Sequence, residues 1–307
     1  MSEKRFDWWR ALAQVLGSIE AVRDGRAMYV LLGAFAGAGA SLALARSALA
    51  QSQAPWAVLE GALALFIAFY GAQAAGLLLM DRALGRPARE VVDAVVDALG
   101  VGHRVLAVLL LMVLVAAAGI GGVAAVFWLC GLPVIGPWLY ALALPLTVLV
   151  LGAGFIAFVA VIGPLTGPMV WSGATSRQAL VQLLAVLRRQ VLRAATLMAG
   201  LSLVTGLVGA AASVVVLVAG RVMAELSILV LGVDVPAQIL MAGLLGHTVQ
   251  AVDARVVSPN ALPYITAANV GGGVVFALAL VLPTLVYLRG VCEIYLLLRP
   301  KSRSGGR

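Results

Sequence analysis

The chain has few charged residues. Only 11% of its 307 residues are charged, 63% are hydrophobic, and the mean hydropathy is +1.08. Soluble proteins carry about 25% charged residues, so this composition excludes a water-soluble globular protein. Several apolar runs reach the roughly 20 residues that cross the hydrocarbon of a bilayer. The composition therefore predicts an integral membrane protein.

Cysteine is scarce as well. Cys130 and Cys292 are the two cysteines, and neither has a second cysteine three residues away. This spacing excludes a CxxC redox pair and a cysteine-based metal knuckle. Both cysteines lie in or beside apolar runs, which favours the role of small hydrophobic side chains.

Catalytic and cofactor-binding motifs are missing too. The chain has no HExxH, no GxSxG and no glycine-rich loop followed by Lys and Ser or Thr. Asp81 and Asp234 fall at opposite edges of the apolar runs, so they do not form the pair that an intramembrane aspartyl hydrolase needs. His103 and His247 fall on opposite sides of the predicted membrane and share no metal site. We expect no enzymatic activity, no cofactor and no metal.

Lysine is nearly absent, since 19 of the 21 basic residues are arginine, and the formal net charge is +8. These arginines are not gathered on one face with aromatic residues between them, which argues against nucleic acid as a partner. They stand at the ends of apolar runs, as in membrane proteins. The richness in arginine, alanine and glycine is typical of a GC-rich bacterial genome.

Six apolar runs are long enough to span a bilayer. They cover about 28–50, 57–80, 104–130, 137–162, 191–220 and 270–298. Eighteen basic residues lie in the N-terminal segment, in the links after the second and fourth runs and at the C-terminal end, against three on the other side. Because cytoplasmic segments carry the excess of Arg and Lys, we expect a bacterial inner-membrane protein with both termini in the cytoplasm. Acidic residues interrupt the segment before Met28, so we expect no cleavable signal peptide.

The predicted organisation has four parts. Residues 1–26 form a cytoplasmic amphipathic segment, and 27–220 contain five spans. Residues 221–269 form a periplasmic interfacial or re-entrant segment, because charged residues and Pro236 break up its apolar pieces. Residues 270–307 contain the sixth span and a basic cytoplasmic tail. The fold class is all-α, a polytopic helical membrane protein with about six transmembrane helices.

Two segments match at an offset of 88 residues. GRPAREVVDAVVDAL begins at Gly85 and GATSRQALVQLLAVL begins at Gly173, and their apolar positions coincide. Those positions recur at i, i+1, i+4, i+5 and i+8, which is one face of a helix. The pattern predicts two parallel repeats of span, amphipathic cytoplasmic helix and span, at 57–130 and 137–220. The alternative is that two amphipathic linkers look alike by chance.

In this arrangement the chain resembles a group of multi-pass bacterial membrane proteins, which includes the membrane domain attached to some glycerophosphodiester phosphodiesterases. The shared feature is a span that ends in a glycine-containing turn and is followed by an amphipathic helix and another span, as in FVAVIGPLTGPMVWSGATSRQALVQLL. The resemblance covers roughly 57–220, and the phosphodiesterase domain itself is absent. It implies the architecture and no particular activity.

The N-terminal segment DWWRALAQVLGSIEAV places five apolar residues on one helical face: Trp8, Leu12, Val15, Leu16 and Ile19. This pattern predicts an in-plane helix at the membrane surface, with Trp8 and Trp9 as interface anchors. Docking of a partner subunit is the alternative role for this helix.

Arg289 and Glu293 are the clearest charges inside a predicted span, and their i, i+4 spacing places them on one helical face. We predict an intramembrane ion pair that fixes helix packing. The functional alternative is a site for an ion, a proton or a lipid headgroup.

Glycine pairs with GxxxG spacing occur at Gly33 and Gly37 and at Gly163 and Gly167. This spacing lets helix backbones approach closely. We expect these four glycines to lie at helix-packing faces.

The missing chemistry, the surface helices and the glycine-lined spans favour a non-catalytic membrane subunit, a scaffold or assembly partner in a larger complex. Its partners would be the bilayer and either other protein subunits or further copies of the chain. A small-solute or ion transporter or channel is one alternative, since transporters commonly use repeats and broken helices. A lipid-binding or lipid-handling membrane protein is the other, because amphipathic helices and arginines contact headgroups.

Overall fold

The computed structural model describes residues 7–133, 135–232, 236–245 and 262–299, which are almost entirely helical and contain no strand. The α-helices, numbered along the chain, are α1 (Trp8–Leu16), α2 (Gly25–Ala50), α3 (Ala54–Ala83), α4 (Val91–Leu129), α5 (Gly136–Ala157), α6 (Gly163–Trp171), α7 (Ser176–Leu231), α8 (Ala237–Leu240), α9 (Leu262–Ala279) and α10 (Val281–Leu298). A π-helical turn, Phe158–Ile162, joins α5 to α6, and short 3-10 helices cover Gly17–Arg23 and Ala242–Leu245. The all-α class is confirmed.

Six helical stretches are long and apolar enough to cross a membrane. They are Gly25–Ala50, Ala54–Ala83, Val91–Leu129, Gly136–Trp171, Ser176–Leu231 and Pro263–Leu298. Each contains the corresponding predicted span to within one residue at either end. The prediction of about six transmembrane helices is therefore confirmed by length and composition.

The helices are longer than the predicted spans. The first amphipathic stretch has no break before the span that follows it, because both belong to α4. The second forms the beginning of α7 and is set apart by Gln190, whose φ of −139° and ψ of 17° are not helical. Residues 221–231 continue α7 and residues 262–269 begin α9. The sequence pattern instead predicts that both belong to the interfacial or re-entrant segment 221–269. Residues 233–235 and 246–261, with Asp234 and His247, lie outside the described residues.

The turns after α3 and α6 have the same backbone geometry. Gly85 and Gly173 both adopt positive φ, at +67° and +100°. The amide of Gly85 bonds to the Arg82 carbonyl, and the amide of the next residue bonds to the Asp81 carbonyl. The equivalent bonds recur 88 residues later. This pair of bonds is the Schellman helix end, which favours glycine because a side chain is strained at positive φ.

The chain divides into two compact units. The first unit contains the described residues of 1–17, 100–201 and 290–307, and the second unit contains those of 18–99 and 202–289. The helices α4, α7 and α10 each contribute to both units.

In the second unit, α2 packs against α3 and α9. Small residues make the close approaches: a Cβ on Gly39 would lie 2.7 Å from the Ala277 Cβ and 2.9 Å from the Gly273 carbonyl oxygen. A Cβ on Gly71 would overlap the Ala34 side chain. Membrane helices associate through such van der Waals contact between small residues.

In the first unit, most of the large buried side chains come from α6, the first half of α7 and the end of α10. They include Leu165, Met169, Trp171, Leu183, Leu197 and Ile294. The π-helical turn precedes Pro164, which has no amide hydrogen, and the Thr166 hydroxyl donates to the Ile162 carbonyl at 2.5 Å. A proline and a π turn are standard causes of a bend in a helix.

Candidate interaction sites

A buried ion pair lies where α3 ends and α4 begins in the second unit. Asp81 is 2% exposed, and its Oδ2 lies 2.7 Å from Nε of Arg89. A second guanidinium nitrogen of Arg89 donates to Asp81 Oδ1 at 3.2 Å, and a third donates to Asp97 at 2.8 Å. The glycine turn at Gly85 brings Arg89 back to the last turn of α3. Arg89 thus bridges two carboxylates, each eight residues away in sequence.

The start of α2 joins the same cluster. Asp24 caps α2 by accepting from the Ala27 amide at 3.4 Å, and its other oxygen accepts from Arg82 at 2.8 Å. The Arg26 guanidinium donates to the carbonyl oxygens of Ala88 and Arg89, at 3.1 Å each. Charge-assisted bonds of this kind are stronger than neutral ones. The cluster therefore ties the ends of α2, α3 and α4 together.

The two residues of the predicted intramembrane ion pair each have another contact. Arg289 donates to the Leu79 carbonyl at 3.3 Å, within the second unit. Glu293 is 8% exposed and accepts from the Gln14 side chain at 2.5 Å, within the first unit. The ion pair between Arg289 and Glu293 stays a prediction.

The Gln14 contact shows that α1 packs on its own chain. Ala11 and Val15 on α1 are buried, and a Cβ on Gly200 would lie 3.6 Å from the Leu12 side chain. Of the two predicted interface anchors, Trp9 is 84% exposed on the outer side of this helix, whereas Trp8 shares the helical face of Ala11 and Val15 and is 42% exposed. Their role at a membrane interface stays a prediction.

A neutral polar cluster lies inside the first unit. Tyr295 is 2% exposed, and its hydroxyl lies 3.1 Å from the Ser172 oxygen. The same hydroxyl donates to the Gln182 side chain at 3.3 Å. The cluster connects α10 to the end of α6 and to the start of α7.

The start of α7 carries arginines but, unlike the start of α4 in the second unit, no carboxylates. Arg177 stands 88 residues after Arg89, but Met169 stands at the place equivalent to Asp81. Arg177, Arg188 and Arg189 are exposed and have no ion-pair partner among the described residues. The described part of the first unit holds seven arginines and two carboxylates, whereas that of the second holds eight of each.

The glycines singled out by spacing differ in their surroundings. A Cβ on Gly33 would meet no atom within 4 Å, and one on Gly37 would lie 3.6 Å from Ile67. A Cβ on Gly167 would lie 2.8 Å from the Trp171 ring, so this glycine makes room for an indole. A Cβ on Gly163 would lie 3.5 Å from a carbonyl of its own chain segment, that of Phe158.

Part of the apolar surface of the first unit is exposed along one stretch of α4. Every residue of α4 from Val113 to Gly122 is exposed, over nearly three helical turns. Six of these ten residues are alanine or glycine. Farther along, Phe127 contacts Tyr140 of α5, with ring centroids 5.8 Å apart.

Several of the described cavities are apolar, whereas one at the start of α7 is lined by Thr175, Arg177, Gln178, Val181 and Gln182. One crevice of about 190 Å³ lies between α2, α3 and α9 and is lined by side chains such as Phe35, Leu42 and Phe276. Among the described residues, no three His, Cys, Asp or Glu side chains come together as a metal site would require.

Sequence reasoning did not find the Asp81 and Arg89 pair or the Asp24 and Arg82 pair. The available signal was the placement of opposite charges on both sides of the Gly85 turn, within eight residues of each other. The contact between Gln14 and Glu293 had no local signal, because 279 residues separate them.

Comparison of the chain with protein-family models, with curated proteins and with solved structures found no match.

Proposed function

We propose that the chain is a non-catalytic subunit of a larger membrane complex, in which it acts as a scaffold or assembly partner. The main support for the proposal is the exposure of Val113–Gly122 in α4. Every residue of this stretch is exposed, although the helix is apolar. In the most apolar window of α4, 11% of the residues are buried, against 50% in α3.

The composition of the exposed stretch supports a protein partner. Gly119, Gly121 and Gly122 have open space where a Cβ would stand, and three alanines precede them. Small residues let a second helix approach the backbone closely, and they are enriched where membrane helices meet. A face that meets only lipid has no need of them.

We further propose that the protein resides in a bacterial inner membrane with both termini in the cytoplasm. The placement of eighteen of 21 basic residues on one predicted side supports this orientation. The amphipathic starts of α4 and α7 then lie at the cytoplasmic face.

An internal duplication is part of the proposal. The recurrence of two Schellman bonds and a positive-φ glycine at an offset of 88 residues supports it. So does the likeness of the sequences that follow, which is also the basis of the resemblance to the phosphodiesterase-associated membrane proteins. The differences in charge between the copies mean that they have diverged in role.

The test is purification from native membranes in a mild detergent, followed by mass spectrometry. We expect other membrane proteins to copurify with the wild-type chain and to be lost from a Gly119→Leu and Gly122→Leu variant. A Gly206→Leu variant is the matched control, because Gly206 is also exposed on an apolar helix and a Cβ there meets no described atom within 4 Å. A monodisperse particle that contains this chain alone would contradict the proposal.

A further inference from the structure

The outer face of the first part of α7 combines cations with apolar side chains. Arg177, Val181, Leu184 and Arg188 recur at helical spacing and are all exposed, with Val181 at 63% and Leu184 at 45%. The opposite face packs into the first unit through Ala179, Leu183 and Val186, which are buried. The outer face is therefore open to a ligand that is both anionic and apolar.

The arginines of this face have no carboxylate partner within the part of the chain that the structure describes. Arg188 and Arg189 form no ion pair there. The two described carboxylates of the first unit are engaged elsewhere: Asp7 accepts from the Arg10 amide, and Glu293 accepts from Gln14. These exposed cations are therefore open to an external anion.

The position of the arginines along the helix indicates which anion. From Ala194 to Gly220 the chain has 27 consecutive residues without a charge. At 1.5 Å per residue such a stretch is about 40 Å long and exceeds the roughly 30 Å of hydrocarbon in a bilayer. Arg188 and Arg189 stand within two turns of its end, next to the irregular Gln190, and thus at the level of the lipid phosphates.

We propose that Arg188 and Arg189 bind the headgroup of an anionic glycerophospholipid. The guanidinium groups present paired donors that match two phosphate oxygens. The exposed Leu192, at 76%, lies between Arg189 and the uncharged stretch and provides apolar surface for the acyl chains. This site is independent of the proposed scaffold role, since it lies on α7 and not on the exposed stretch of α4.

The test compares lipid retention by the purified full-length chain in native mass spectrometry. The chain is incubated with phosphatidylglycerol or with phosphatidylcholine, which have the same acyl chains. We expect the wild type to retain phosphatidylglycerol preferentially. An Arg188→Gln and Arg189→Gln variant should retain it about 30-fold less well, the factor that two arginines supply near an anionic membrane surface.

The matched control is an Arg23→Gln and Arg221→Gln variant, which removes two exposed cations of the second unit. Arg221 is already paired with Glu225 at 3.0 Å, so we expect the control to keep the wild-type preference. An equal loss in both variants would show a response to net charge alone and would overturn the site. Undiminished preference in the Arg188 and Arg189 variant would also overturn it.

A second measurement uses the wild-type protein and does not depend on the variants folding. Phosphatidylglycerol with a photoreactive acyl chain is cross-linked in native membranes, and the labelled peptides are sequenced. We expect label on α7 between Val181 and Leu192. Label confined to other helices, or protein adducts in place of lipid on this face, would contradict the proposal.

Discussion

The two units differ in the balance of their charged residues. The described part of the second unit holds eight arginines and eight carboxylates, and the buried Asp81 forms an ion pair with Arg89. The described part of the first unit holds seven arginines and two carboxylates, and the arginines at the start of α7 are exposed. The same turn occurs in both, but Met169 stands 88 residues after Asp81, where the first unit has no carboxylate. Internal ion pairs therefore join the helix ends of the second unit, whereas Arg177, Arg188 and Arg189 of the first unit have no ion-pair partner among the described residues.

The strongest test of this comparison is the replacement of Asp81 by alanine. The change leaves Arg89 without its buried partner, and breaking a buried pair in this way costs about 3 kcal/mol. We expect a large loss of thermal stability in detergent, measured by the unfolding temperature. Glu225→Ala is the control, since its exposed pair with Arg221 is worth less than about 1 kcal/mol. Equal effects of the two variants would show that the Asp81 cluster does not stabilise the second unit.

The second prediction concerns helix packing in the second unit. Gly39→Ala places a methyl group 2.7 Å from the Ala277 Cβ, and such overpacking costs about 2 kcal/mol. Gly33→Ala places the same group in open space and should leave stability unchanged or slightly raised. Both are read from the unfolding temperature. A greater loss at Gly33 than at Gly39 would contradict the packing of α2 described here.

The third prediction tests how α1 is held in the first unit. Gln14→Ala removes the hydrogen bond to the Glu293 carboxylate, and a bond to a charged group is worth about 1.5 kcal/mol. We expect faster amide hydrogen exchange in Trp8–Leu16, with little change in the other helices. Trp9→Ala is the control, because Trp9 is 84% exposed. Unchanged exchange in the Gln14 variant would mean that this contact does not hold the helix.

The smallest expected effects are at the two glycine turns, which compare the two units directly. Gly85→Ala and Gly173→Ala each force a side chain into a positive-φ turn, at a cost of about 1 kcal/mol. No atom lies within 4 Å of either added Cβ, so the backbone alone sets the cost. We expect the two variants to lower the unfolding temperature by similar amounts. A strong effect at one site only would separate the two turns and weaken the case for a duplication.

The six apolar helices followed from the sequence because run length and hydropathy directly determine whether a helix can span a bilayer. The glycine turns after α3 and α6 were also visible, as the start of the matching segments. The side of each helix that packs was harder to predict. In the first turns of α4, Val92 and Val96 are 70% and 62% exposed, whereas Ala94 and Ala98 are fully buried.

This reversal has a physical cause. In a membrane, contact with lipid is as favourable for valine as contact with protein, so the protein side of a helix is selected for small size and not for hydrophobicity. In the first turns of α4, hydrophobic periodicity therefore marks the exposed face of the helix and not the packed face. The partners of the buried carboxylates could not be predicted for a different reason. They depend on where α1, α2 and α4 pack, and local sequence spacing does not determine that packing.

The claim that another protein covers α4 is tested most directly by a photoreactive amino acid at Gly121, cross-linked in intact native membranes. A Cβ there would meet no described atom of its own chain within 4 Å. We predict a discrete protein adduct that is absent when the same group stands at the exposed Gly206. Lipid adducts alone at Gly121 would contradict it.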